Sequence, residues 1–230
     1  MKKAPKPLRK QIEDPPRGPT SAKYSRRLSR EELTPEARDD ICAAAVAVIG
    51  KHGYVGATIK RITDEAGIAQ GTFYLYFESR QALFDTLLPR IGSDMLQFIR
   101  DRIQGAGGFF DAEERGFRAF FYYLNLRPGF FRVLNEAEWA APLAHREHFN
   151  LLAMHYRRAL MRAAAEGEIR ALDIDEVEAV AYMFMACRHY IYLRYIKDQP
   201  AQAEPPENAV KAYMTLIRNG IGDASVRASP

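Results

Sequence analysis

A chain of 230 residues with 47% hydrophobic content can bury a sizeable core, and it holds no run of about 18 apolar residues that would cross a bilayer. Its two cysteines, Cys42 and Cys187, each lie in an apolar helical stretch, which excludes a disulfide framework and reads as two buried thiols. The net charge of +4 is unevenly placed: residues 1–34 hold ten Lys and Arg against four Asp and Glu, so the rest of the chain stands at −2, and a nucleic-acid reading of it has to rest on a motif.

Residues 1–34 carry five prolines and almost no periodic apolar positions, which reads as a disordered basic arm. Such an arm can follow a phosphate backbone or enter a minor groove, and it can equally be a solubilising tail. With no apolar signal-type segment in it, the expectation is a soluble cytoplasmic protein without a membrane partner. The first helix is expected from Thr34-Pro35-Glu36, where Thr34 can cap, proline suits the first helical position and Glu36 favours the positive helix end. Ile41, Ala44, Ala45, Val48 and Ile49 mark one apolar stripe, and Gly53 ends it.

Thr58 to Phe77 reads as two short helices joined by a tight turn. Thr58 caps the first, Ile59, Ile62 and Ala66 share its buried face, and Gly67 supplies the left-handed residue that stops it. Ile68 plugs the corner. The second helix starts near Gln70 with Phe73 and Phe77 inward at i, i+4, which leaves Gln70, Gly71, Thr72, Tyr74 and Tyr76 on or near the outward side. A helix presented in this way fits the DNA major groove. The stretch ATIKRITDEAGIAQGTFYLYFESRQALF closely resembles the DNA-binding segment of the TetR family of bacterial transcriptional regulators, over about residues 38 to 90. Gln70 and Thr72 are candidates for base edges or nearby phosphates, Gly71 for close backbone approach, and Tyr74 and Tyr76 for phosphate or thymine contacts. Thr58, Lys60, Arg61 and Arg80 are candidates for the flanking phosphates. Ala69 and Gln70 depart from the resemblance, standing where the family commonly has Ser and Lys.

Ser79 is the natural cap of a longer helix whose apolar spacing continues to Ile103, with a kink or break expected at Pro89. After the Gly105–Gly108 linker, Asp111 with Glu114 signals a helix start; Arg127-Pro128-Gly129 ends that helix, and Pro128 and Pro142 bracket a short one. A long helix follows from about Leu143 to Glu166, another from Asp173 to before Pro200, and a last one carries Val210 to Ile221. No strand-like alternation or internal repeat stands out, so the fold class expected is all-α. Residues 1–34 are taken as the arm, 35–80 as a helix-turn-helix domain, 81–222 as an effector-binding and dimerisation domain, and 223–230 as a tail.

The second half is dense in aromatics and Met, most of them core. Tyr122, Tyr123, Phe130, Phe131, Trp139, Met154, Met183 and Phe184 are the candidates for lining an effector pocket, which the resemblance also implies in this region. An apolar or aromatic effector is expected, with any acidic end met by Arg127, Arg132 or Arg188. The apolar faces around Ala181, Ile191, Met214 and Ile217 exceed what two helices of a monomer need, and the resemblance implies that they pair in a homodimer. His145, His148 and His155 share a helix, but without an evident third ligand the HREH run reads as a solvated face, and no metal or cofactor is expected. No nucleophile elbow, phosphate loop or dinucleotide fingerprint is present. The reading is a TetR-like regulator of operator DNA, not an enzyme; the alternatives are a helical enzyme or small-molecule binder with a structural helix-turn-helix, and an architectural DNA binder using its arm.

Overall fold

The computed structural model describes residues 34–197, 199 and 204–222, so the basic arm before Thr34 and the tail after Gly222 lie outside the described residues. Thr34 caps the first helix as its sequence indicates, its hydroxyl accepting from the Ala37 N–H, and α1 runs Pro35–Gly56. Gly53 interrupts it with φ 69° and ψ 172°, a conformation open to glycine, and the chain resumes one further turn. Thr58 then caps α2, Ile59–Ala66, through the Arg61 N–H; Gly67 closes it at φ 67°, and α3 follows as Gln70–Tyr76. These three helices pack through Ile41, Ile49, Ile62, Phe73 and Phe77, all buried.

Ser79 caps α4, Arg80–Ile103, which carries the chain out of this head. No break occurs at Pro89: the helix is continuous through it. Leu87, Leu88 and Ile91 are buried on either side of the proline, so packing keeps the segment helical although one hydrogen bond is lost. The body is completed by α5 Phe109–Leu126, α6 Phe130–Ala140, α7 Pro142–Ala165, α8 Ile174–Tyr195 and α9 Glu207–Ile221. Helix α5 starts two residues before the Asp111 signal, because Gly108 caps it and the Phe109 N–H donates to Glu168; Asp111 instead accepts from the Gly107 N–H and Arg115. At the start of α8 the Asp173 side chain accepts from the Glu176 N–H and the Glu176 side chain from the Asp173 N–H, a complete capping box. One apolar core runs without interruption from α1 to α9. Among the described residues there is no strand, and no helix is long and apolar enough to cross a membrane.

Candidate functional site

In the head, α2 and the Gly67 turn hold α3 on the surface. Gln70 and Gly71 are exposed, a side chain at Gly71 would meet nothing, and Tyr74 is 55% exposed. Around them stand Thr58, Lys60, Arg61 and Arg80, all exposed. Lys60 pairs with Asp64 at 2.7 Å, a surface ion pair that phosphate can displace at little cost. Arg61 donates to the Gly56 carbonyl at 2.8 Å, which orients it, and the Arg80 guanidinium lies 5.4 Å over the Phe84 ring. Tyr76 is half-buried, and its hydroxyl accepts from the Thr34 N–H, so it ties α3 to the start of α1. Thr72 departs from the sequence reading: it is 5% exposed and turned into the domain, not outward. Helix α3 has only seven residues and α2 packs directly against it, so its covered arc is wider than the Phe73 and Phe77 line indicates.

In the body, α4 to α8 enclose a cavity of about 480 Å³ with mainly apolar walls. Phe130 and Phe131 of α6 line it as expected, together with Met95, Ile99 and Phe120. The other six candidates do not. Tyr123 is buried beneath it with its hydroxyl bonded to the Ile91 carbonyl, Tyr122 stacks on Phe98, and Phe184 packs among Phe109, Tyr156 and Tyr213. Met154 is only half-buried, while Met183 and Trp139 face outward, Trp139 being 60% exposed at the end of α6. Aromatic density locates the region, but one step along a helix turns a side chain by about 100°, so Tyr182 and Met185 line the cavity where Met183 and Phe184 do not.

Polar groups reach the cavity from four helices, α4, α5, α7 and α8. Arg188 of α8 is buried and bonded to Glu113 of α5 at 2.7 Å, to the Phe184 carbonyl and to Tyr213, whose own hydroxyl donates to Glu113. Burial opposes the guanidinium charge, but Glu113, Tyr156 and Tyr213 outweigh it and hold Arg188 firmly protonated. Of the three arginines expected to meet an acidic ligand, Arg188 alone lines the cavity, and Glu113 already neutralises it. Arg100, His155 and Arg162 also line the cavity, the two arginines being exposed to solvent. His148 overturns the reading of the HREH run as a solvated face. It is 1% exposed, in edge-to-face contact with the rings of Phe130 and Phe149, and neither ring nitrogen has a hydrogen-bond partner. Burial, with His145 adding to it, holds the imidazole down to about 4, so it is neutral. The signal was available in sequence, since His148, Leu152 and Ala159 fall on one α7 face with His155 beside them. Among the described residues no group of His, Cys, Asp and Glu is placed to hold a metal.

Helix α6 joins the two regions. Phe130, Phe131 and Leu134 face the cavity, while Arg132 and Glu136 grip α1. Glu136 accepts from the Tyr54 N–H at 2.7 Å, a donor freed by the Gly53 break, and from Arg132 at 2.7 Å; Arg132 also donates to the Gly50 carbonyl. Gly129 touches Val46 and Gly50 so closely that a side chain on either glycine would collide with backbone. Sequence reasoning missed this joint, whose members are some 80 residues apart.

The face expected to pair is differently composed. Ala181, Met214 and Ile217 are buried within the chain and Ile191 is half-buried, because α8 and α9 turn those side chains onto the core. The large apolar groups left outside on the last two helices are Ile174, Tyr182, Met183, Tyr190 and Leu193 of α8, and Leu216 of α9 at 71% exposure.

Residues 41–87, which cover most of α1, all of α2 and α3 and the start of α4, match the family model described as bacterial regulatory proteins, tetR family. The uncharacterized HTH-type transcriptional regulator YvdT of Bacillus subtilis is 43% identical over 67 residues, which are 29% of this chain and 32% of that relative, so the match spans about a third of its length. The whole fold resembles the fatty acid degradation regulator FadR of Bacillus halodurans, with TM-score 0.68 and 22% identity over 81% of this chain and 96% of that one. It also resembles Bacillus subtilis FadR, solved in complex with stearoyl-CoA, with TM-score 0.66 and 20% identity over 80% and 98% of the two chains. At these identities the likeness is one of fold.

Proposed function

We propose, for a chain that belongs to the TetR family of bacterial regulatory proteins, a transcriptional repressor that holds operator DNA as a homodimer and lets go when an apolar effector fills its cavity. The observation that carries this reading is the double face of α6, with Phe130 and Phe131 on the cavity and Glu136, Arg132 and Gly129 on α1. A ligand that displaces α6 displaces α1, and with it the head that carries α3. Two heads related by a two-fold axis present their recognition helices about 34 to 36 Å apart to successive major-groove turns, so a modest change in that separation costs contacts on both half-sites. The effector must bind the non-DNA geometry better, or it shifts nothing.

On DNA, Gln70, Gly71 and Tyr74 are assigned to the groove and Thr58, Lys60, Arg61 and Arg80 to the flanking phosphates, supported by their exposure around one short helix. The pairing surface is assigned to the exposed apolar groups of α8 and α9, Met183, Tyr190, Leu193 and Leu216, in place of their buried neighbours. For the effector, the apolar walls favour an acyl chain, its charged head meeting Arg100 and Arg162 at the solvent edge; the fold likeness to a protein solved with stearoyl-CoA supports the same class.

The test is direct. Bound duplexes selected from a genomic pool should share a near-palindrome, and a long-chain acyl-CoA added to that complex should release the DNA in a mobility-shift assay. Trp139, edge-on to Tyr54 at the α1–α6 joint, should change its fluorescence on release. Retention of DNA at saturating ligand, with Trp139 unmoved, would rule the mechanism out.

A further inference from the structure

The cavity holds two kinds of buried polar group in opposite conditions. Glu113, Arg188 and Tyr213 satisfy one another, so an incoming anion would find its only buried guanidinium already neutralised. His148 has no partner at either nitrogen although it lines the same cavity and is itself almost wholly buried. A neutral imidazole offers one N–H donor and one acceptor. Its position is also fixed: one ring edge lies on Gly92 of α4, so near that any side chain at 92 would strike it, and the rings of Phe130 and Phe149 meet it in edge-to-face contacts.

Taking the cavity as the effector site, we infer that His148 is its specificity-determining residue, and that the effector carries an uncharged hydrogen-bonding oxygen, a hydroxyl or keto group, on the part of the molecule buried against α4, α6 and α7. A wholly saturated chain packed over His148 leaves both imidazole nitrogens unmatched, whereas a ligand oxygen at the right position accepts from the ring N–H or, as a hydroxyl, donates to the other nitrogen. The penalty for leaving a buried polar group unmatched corresponds to a discrimination on the order of tenfold or more between two ligands of equal length. Because the group must meet one fixed ring, the preference depends on position along the chain and not on added polarity.

The experiment uses the full-length protein, octadecanoic acid, and a series of octadecanoic acids bearing one hydroxyl or keto group at successive carbons. Dissociation constants are read by displacement of 8-anilinonaphthalene-1-sulfonate and checked by calorimetry. In the wild type at least one isomer should bind about tenfold or more tighter than the unsubstituted acid, with other positions falling back towards it. His148→Leu should erase that preference and bind the unsubstituted acid at least as tightly as wild type does, and His148→Gln, which keeps a donor and an acceptor, should retain part of it. Equal or tighter binding of the unsubstituted acid by wild type overturns the inference without any variant, as does an unchanged preference in a folded His148→Leu. If the acids bind with no positional preference, only the role of His148 fails. If neither the dye nor any acid binds, the effector reading of the cavity fails and takes this inference with it.

Discussion

Head and body come into backbone contact at a pair of glycines, and filling it should uncouple the two. At Gly129 a Cβ would fall on the backbone carbonyl of Val46, and at Gly50 it would lie 2.8 Å from the Cα of Gly129. Neither neighbour is the movable end of a side chain, so Gly129→Ala must push α1 and α6 apart. Overpacking of this kind costs about 1–3 kcal/mol. At roughly 2–4 °C per kcal/mol for a chain of this size, the melting temperature should fall by roughly 2–12 °C. Gly50→Ala is the sharper case, because alanine inside a free helix should stabilise by up to about 1 kcal/mol, so a loss reverses the intrinsic preference. Gly220→Ala in α9, where a side chain meets nothing, is the control and should gain stability. Once the helices are apart, the second substitution has less to disturb, so the double variant should lose less than the two single losses combined. Thermal unfolding of the four members of the cycle measures this, and titrating ligand against the DNA complex tests whether release weakens in parallel. Neutral or stabilised single variants, or additivity within about 0.5 kcal/mol, would refute the seating of α1 on α6 and the route of the signal with it.

Other consequences are separable from that one. Gln70→Ala should relax sequence preference, whereas Arg61→Ala or Arg80→Ala should weaken binding to all duplexes and lower the salt slope by about one; a change of preference alone in Arg80→Ala would reverse these roles. Glu113→Gln leaves the Arg188 charge buried without its counter-ion, so chemical denaturation should report a loss of about 3–5 kcal/mol, and a loss below about 1 would show that the pair is open to water. His148 has its folded value held at about 4 against an ordinary 6.5. The unfolded chain therefore binds more protons between those limits, and stability falls as pH drops through that window, by about 2 kcal/mol at pH 5, with His148→Gln flattening the profile. Met183→Glu or Leu216→Glu should give folded monomers by light scattering that no longer hold DNA, whereas Met214→Glu should fail to fold because that side chain is inside the chain.

Local chemistry determined the helices and the motif. Thr34, Thr58, Ser79 and Asp173 cap the helices that their positions indicate, Gly53 and Gly67 mark real interruptions, and Phe73 with Phe77 turn α3 into the head. Each of these acts over one or two turns of backbone, a range at which sequence spacing is geometry. Beyond that range spacing loses its grip. Pro89 should break a lone helix and does not, because the packing of α4 supplies more than the lost hydrogen bond removes. Spacing alone points Thr72 outward and Met214 and Ile217 towards a partner, yet all three are buried within the chain, since a helical face has no meaning until its neighbours are known. His148 looked like one polar residue of a charged run; only the approach of Gly92 and Phe130 from two other helices makes it a buried, unpartnered imidazole. The same holds for Glu113 and Arg188, 75 residues apart, and for Glu136 at the Tyr54 N–H, 82 apart. Burial and pairing depend on which surfaces meet, and that is fixed by the mutual packing of all the helices, a property that no single stretch of the chain possesses.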